Sequence, residues 1–161
     1  MTAAPTQVDQ LADALSGRGQ TLAIAESCTG GLVAAACTAL PGSSGWFERG
    51  FVTYSNAAKI ELLGVDGDLI TAHGAVSEEV ARAMAEGAVQ RSPAHWSVAV
   101  TGIAGPGGGT AAKPVGTVWL AVAERGGPTC STLLQASGDR TAIRNASAAR
   151  AIGLLLEALA R

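Results

Sequence analysis

The sequence predicts an α/β fold: one mixed sheet of five or six strands, covered by helices. Three observations carry this expectation. Short apolar runs of strand length alternate with Ala-rich stretches of helical length through the first hundred residues. Two further strand-like runs then follow each other across a Gly-Gly-Pro turn, as in a hairpin, which a purely parallel sheet would lack. The chain has 161 residues, 48% hydrophobic and 15% charged, which is enough for one domain over residues 1–161 with a core of its own.

Taken in order, Val8 to Leu15 reads as a short amphipathic helix, broken at Gly17-Arg18-Gly19. Thr21 to Ala25 is a buried strand that stops at Glu26-Ser27-Cys28-Thr29-Gly30-Gly31. An Ala-rich helix follows to Leu40, where Pro41-Gly42 ends it. Phe51 to Tyr54 is a second strand. Asn56 is then the expected N-cap of a helix over Ala57 to Leu63, closed by Gly64. Ser77 caps the next helix, with Glu78 and Glu79 well placed against the dipole of its first turn. That helix runs to about Arg91. Trp96 to Val100 is a third strand, followed by the breaker-rich loop Gly102–Gly109. Gly116 to Ala123 and Cys130 to Ala136 form the hairpin. A last helix starts at Asp139, with Ile143, Ile152, Leu155 and Leu156 on its apolar side.

Composition removes several functions. A net charge of −2 with no Lys/Arg run gives no nucleic-acid footprint. Three cysteines without a CxxC pair argue against a disulfide framework or a zinc site. His73 and His95, the two histidines, have no Asp or Glu at ligand spacing, so no metal or other cofactor is expected. The N-terminus lacks the pattern of a signal peptide, and no apolar run reaches membrane-spanning length, which together point to the cytoplasm.

The chemistry concentrates at strand ends. Ser27 sits between a strand and a helix, and Thr29, Gly30 and Gly31 offer backbone N–H groups near a helix N-terminus, a place suited to an oxyanion. The same residues also read as an ordinary helix cap, and Cys28 as a small apolar filler or a nucleophile beside Ser27. Lys59, near the start of its helix, reads either as a surface lysine or, if burial adds to the dipole in lowering its pKa, as a base toward a serine. The loop with Thr101, Gly102 and Gly105 can bring backbone N–H groups close to a ligand, but it matches neither a GxxxxGK[ST] nor a GxGxxG phosphate motif. Arg140 and Arg144 are four apart at the start of the last helix, where a bound anion would turn an unfavourable placement into a favourable one. Pairing with Asp139, Glu124 or Glu48 is the alternative.

Several blocks together resemble the CinA C-terminal domain family of nicotinamide-nucleotide amidohydrolases. They are Ala25-Glu26-Ser27-Cys28-Thr29-Gly30-Gly31, Pro41 through Asn56 with Lys59 three residues on, and His73-Gly74-Ala75-Val76-Ser77-Glu78. Thr101 through Gly108, Lys113 through Val118 and Ser137-Gly138-Asp139-Arg140 complete the set. The resemblance spans roughly residues 8 to 160 and implies an amidase converting nicotinamide mononucleotide to nicotinic acid mononucleotide and ammonia. It matches Ser27 to the family's nucleophile and Lys59 and Tyr54 to its partners, and it implies a homodimer or higher homo-oligomer. Trp46, Phe47, Trp119 and the hairpin edge are candidates for that interface. Many relatives carry a further N-terminal domain, which this chain is expected to lack. The competing reading is a pyridine-nucleotide-binding module without turnover, acting through a protein partner.

Overall fold

A computed structural model describes residues 3–161. One five-stranded sheet has the order β2-β1-β3-β4-β5. Strands β1 (Leu22–Glu26), β2 (Phe47–Val52) and β3 (Trp96–Gly102) are mutually parallel. Strands β4 (Thr117–Glu124) and β5 (Thr129–Gln135) form the expected hairpin, antiparallel on the β3 side. The sheet is therefore mixed, as the alternation followed by a hairpin requires.

Helices cover both faces. On one side α1 (Gln7–Arg18), α2 (Leu32–Thr38) and α6 (Arg140–Leu159) pack over Leu22, Ile24, Val98, Val100 and Leu120. On the other, α3 (Asn56–Leu63), α4 (Gly67–His73) and α5 (Glu78–Gln90) pack over Ala23, Ala25, Ala99 and Ala121. Alternate residues of β1 feed the two cores, the period of a strand buried on both faces. Alanines on the second face leave room for close helices. Closest is the join of α5 to α3: a Cβ at Gly87 would lie 2.0 Å from the Leu63 carbonyl oxygen.

Several expectations shift on inspection. β2 begins at Phe47 rather than Phe51. Glu48, Arg49 and Gly50 hid its start, because an edge strand tolerates charge on its open side. Thr53 and Tyr54 lie beyond it. α2 is shorter than read, starting at Leu32 and ending at Thr38. The cap of α3 is Ser55, whose Oγ accepts from the Ala58 N–H at 3.0 Å, not Asn56. α4, capped by Asp66, was not foreseen. Ser77 and Asp139 cap α5 and α6 as expected. Trp46 is only 2% exposed and belongs to the core, so it is no interface residue.

Candidate active site

The C-terminal ends of the three parallel strands converge, the usual ligand edge of such a sheet. β1 delivers Ser27, β2 delivers Thr53 and Tyr54, and β3 delivers Thr101 and Gly102. Around them lies a cavity of about 280 Å³. Its walls include Ser27, Cys28, Tyr54, Lys59, Thr101, Gly102, Gly105 and Arg140.

At its floor Lys59 Nζ lies 3.1 Å from Ser27 Oγ. Lys59 is the fourth residue of α3 and 1% exposed, so burial holds its pKa below the ordinary 10.5. Nζ also donates to the carbonyl oxygens of Thr53 at 3.1 Å and Tyr54 at 3.3 Å. This shell fits both protonation states. A neutral amine spends its two N–H groups on the carbonyls and keeps its lone pair for the Ser27 hydroxyl proton. Once that proton has moved, the ammonium has three donors and the same three partners. The transfer needs no rearrangement of heavy atoms.

Of the two parts expected of Tyr54, orienting Lys59 or relaying its proton, the geometry fits the first, through the main chain. Its main-chain carbonyl orients Lys59 and lies 3.5 Å from Ser27 Oγ, within reach of that hydroxyl. Its phenol is 60% exposed and accepts from Arg140 Nη2 at 3.1 Å. It therefore touches neither Ser27 nor Lys59 as a proton relay would. Arg140 Nη1 donates to the Gly105 carbonyl at 2.9 Å, so this guanidinium ties two loops together across the cavity wall. Arg144 does not share that position despite its spacing. Its Nε and Nη2 donate to the carbonyls of Cys28 and Thr29, both at 3.1 Å, and it holds the nucleophile turn from α6. Neither arginine pairs with Asp139, Glu124 or Glu48.

The helix end behind Ser27 is not free either. Glu26 accepts the N–H groups of Val33 at 2.9 Å and Ala34 at 3.1 Å, and the Gly30 N–H goes to the Ser27 carbonyl at 3.0 Å. Thr29, Gly30 and Gly31 do not line the cavity. The Glu26 carboxylate thus takes the first-turn amides of α2 and not those of Thr29 to Gly31. In the Gly102–Gly108 loop, by contrast, the amides of Ala104, Gly105, Gly107 and Gly108 have no carbonyl partner among the described residues, and all four residues line the cavity. Gly102 is required by space: a Cβ would lie 2.7 Å from Val118 Cγ2. Thr101 Oγ1 donates to the Ala75 carbonyl at 2.9 Å and fixes the facing wall rather than pointing a free donor inward.

Burial pushes the Cys28 thiol up to about 11, and Lys59 Nζ reaches Ser27 Oγ rather than this thiol, so the geometry favours the serine as nucleophile. His95 accepts the Thr21 N–H through Nδ1 at 3.0 Å, and His73 lies beside Glu79 on the surface. Glu26 is a buried side chain beside Ser27 that motif reading passed over. Its one signal in the sequence is an acidic residue ending a wholly apolar strand ahead of a helix with no polar cap of its own.

The family whose model matches the chain is described as the CinA C-terminal domain, over residues 5–159. A nicotinamide-nucleotide amidohydrolase PncC of Escherichia coli is 50% identical, over 91% of this chain and 89% of that protein. A putative competence-damage inducible protein of Symbiobacterium thermophilum is 57% identical over 88% of this chain. The match takes in 35% of that protein, so the chain spans about a third of the length of such relatives. Among solved structures, competence/damage inducible protein CihA of Agrobacterium tumefaciens superposes with a TM-score of 0.89 at 45% identity, covering 100% of both chains. A competence damage-inducible protein of Klebsiella pneumoniae gives 0.92 at 37% identity, covering 96% of each.

Proposed function

Because the chain belongs to the CinA C-terminal domain family, we propose that it hydrolyses the carboxamide of nicotinamide mononucleotide, giving nicotinic acid mononucleotide and ammonia. The observation that carries this reading is the buried pair Ser27 Oγ and Lys59 Nζ, 3.1 Å apart on the floor of an open cavity. A module that only bound nucleotide would have no use for a desolvated lysine aimed at a serine hydroxyl. Ammonia release from nicotinamide mononucleotide by the purified protein tests the proposal. Binding without release would favour the silent module.

In the proposed reaction Ser27 Oγ attacks the carboxamide carbon as its proton passes to Nζ. The resulting oxyanion is met by amides of the Gly102–Gly108 loop. The C–N bond then breaks, Nζ returns the proton to the departing nitrogen, and ammonia leaves. Water attacks the Ser27 ester, giving one proton to Nζ. That proton returns to Oγ as the acid departs. Every proton taken is returned, so the cycle needs no added oxidant or reductant. The three free cysteines fit a reducing cytoplasmic setting.

Arg140 is exposed and lines the cavity, where a substrate phosphate could reach it, whereas Arg144 is half-buried behind the nucleophile turn and does not line it. The Arg140→Ala variant is expected to lose about 10- to 100-fold in kcat/KM for nicotinamide mononucleotide, the worth of one charge-assisted hydrogen bond. The phosphate-free riboside should lose little, so the two substrates converge in the variant. Equal losses on both would assign Arg140 to holding Tyr54 and Gly105 in place.

A further inference from the structure

Glu26 is 1% exposed, one residue before the nucleophile, and the reaction described above does not use it. A carboxylate so deep in a protein is costly unless its oxygens are met. Here each oxygen has one donor, Val33 N–H and Ala34 N–H, from the first turn of α2. That helix has no cap from its own N-cap residue: Gly31, at φ +109°, offers no side chain. The strand therefore caps the helix from seven and eight residues back, and in doing so closes Ser27 through Leu32 into a ring.

The ring is pinned on every side. The Ser27 N–H donates to the Val100 carbonyl at 3.0 Å, from β3. The Glu26 carbonyl accepts the Thr53 N–H at 2.8 Å, from the segment whose carbonyls hold Lys59. Arg144 takes the carbonyls of Cys28 and Thr29 from α6. Glu26 alone links this ring, through its side chain, to α2, and through its main chain, to the lysine's loop. Its side chain lies on the α2 face of the sheet, with Cys37 and Val33, while Lys59 packs from the α3 face.

We infer that Glu26 is a positioning residue, whose two bonds to α2 hold Ser27 Oγ in reach of Lys59 Nζ. The inference rests on the serine–lysine reading of the site.

The test uses Glu26→Gln and Glu26→Asp in the full chain. Gln keeps the length but offers one acceptor where two donors wait. Asp keeps the charge but falls short of them. A displacement of Ser27 by about 1 Å is expected to lower kcat about 10- to 100-fold. KM should stay within about threefold, because the substrate-binding walls are untouched. A fluorophosphonate that labels Ser27 without any nucleotide should slow in parallel with kcat. Val122→Ala, a core change on β4 toward the opposite end of the sheet, beside Trp96 and Ala158, supplies a control destabilised away from the ring. Wild-type kcat in both Glu26 variants would overturn the inference, as would a fall in kcat with unchanged labelling, or the same kinetic loss in the control. If Glu26→Gln does not fold, Glu26→Asp carries the same outcomes. A wild-type protein that the probe does not label at Ser27 would instead remove the serine mechanism itself.

Discussion

The Ser27→Ala variant is expected to lower kcat on nicotinamide mononucleotide by at least about 10³-fold, by analogy with other covalent serine enzymes. Alanine removes the attacking oxygen and leaves Lys59 with its two carbonyl partners, so the fold and substrate binding should be kept. The adjacent thiol is a poor substitute, since burial keeps it protonated and Lys59 Nζ is paired with Ser27 Oγ instead. Cys28→Ala should accordingly turn over at close to the wild-type rate. Mass spectrometry after rapid quench should find the acyl group on Ser27 in the wild type. Full activity in Ser27→Ala, together with its loss in Cys28→Ala, would move the reaction to sulfur.

A loss of similar size is expected for Lys59→Arg, for a different reason. Guanidinium stays protonated at any working pH and has no lone pair for the serine proton. It is also larger, in a site where the present side chain is 1% exposed. Lys59→Met should be equally inactive while folding normally, which separates loss of the base from loss of structure. The pH profile gives the sign. Neutral lysine is the working form and burial lowers its pKa, so kcat/KM should rise with pH and level off below the ordinary 10.5. The linked stability runs the same way. The unfolded chain binds the Lys59 proton more tightly than the native state, so this residue lowers stability below its native pKa. The deficit closes as pH rises toward the unfolded value. Wild-type turnover in Lys59→Arg would remove the lysine as base.

What could be read from the sequence follows how local each cause is. Caps at Ser77 and Asp139, the Gly126-Gly127-Pro128 turn and the apolar runs of β1, β3 and β4 are local, and they were legible. The α3 cap fell one residue off, because Ser55 and Asn56 are both good caps and only the bond to Ala58 N–H separates them. The start of β2 was masked by surface charge. Ser27 and Lys59 were legible as chemistry, but their contact spans 32 positions and depends on β1 and β2 being parallel neighbours. The assignments that changed are all tertiary. Tyr54 orients Lys59 through its carbonyl rather than its phenol, Arg144 faces two carbonyls instead of the cavity, and Glu26 takes the first amides of α2.

The seam between α5 and α3 extends the site well past its walls. Lys59 rides on α3, and α3 seats where it does because residue 87 has no side chain beneath the Leu63 carbonyl. Any added carbon there must lift the helix, and the amine with it, from a hydroxyl it reaches by a single hydrogen-bond length. In a saturation scan scored by turnover, position 87 would then register among the inactivating sites while contacting no ligand. A footprint drawn from such a scan alone would trace the helix seating as well as the chemistry. Distinguishing the two takes the fluorophosphonate rate, which falls when the amine withdraws, read beside the melting temperature, which reports the seam.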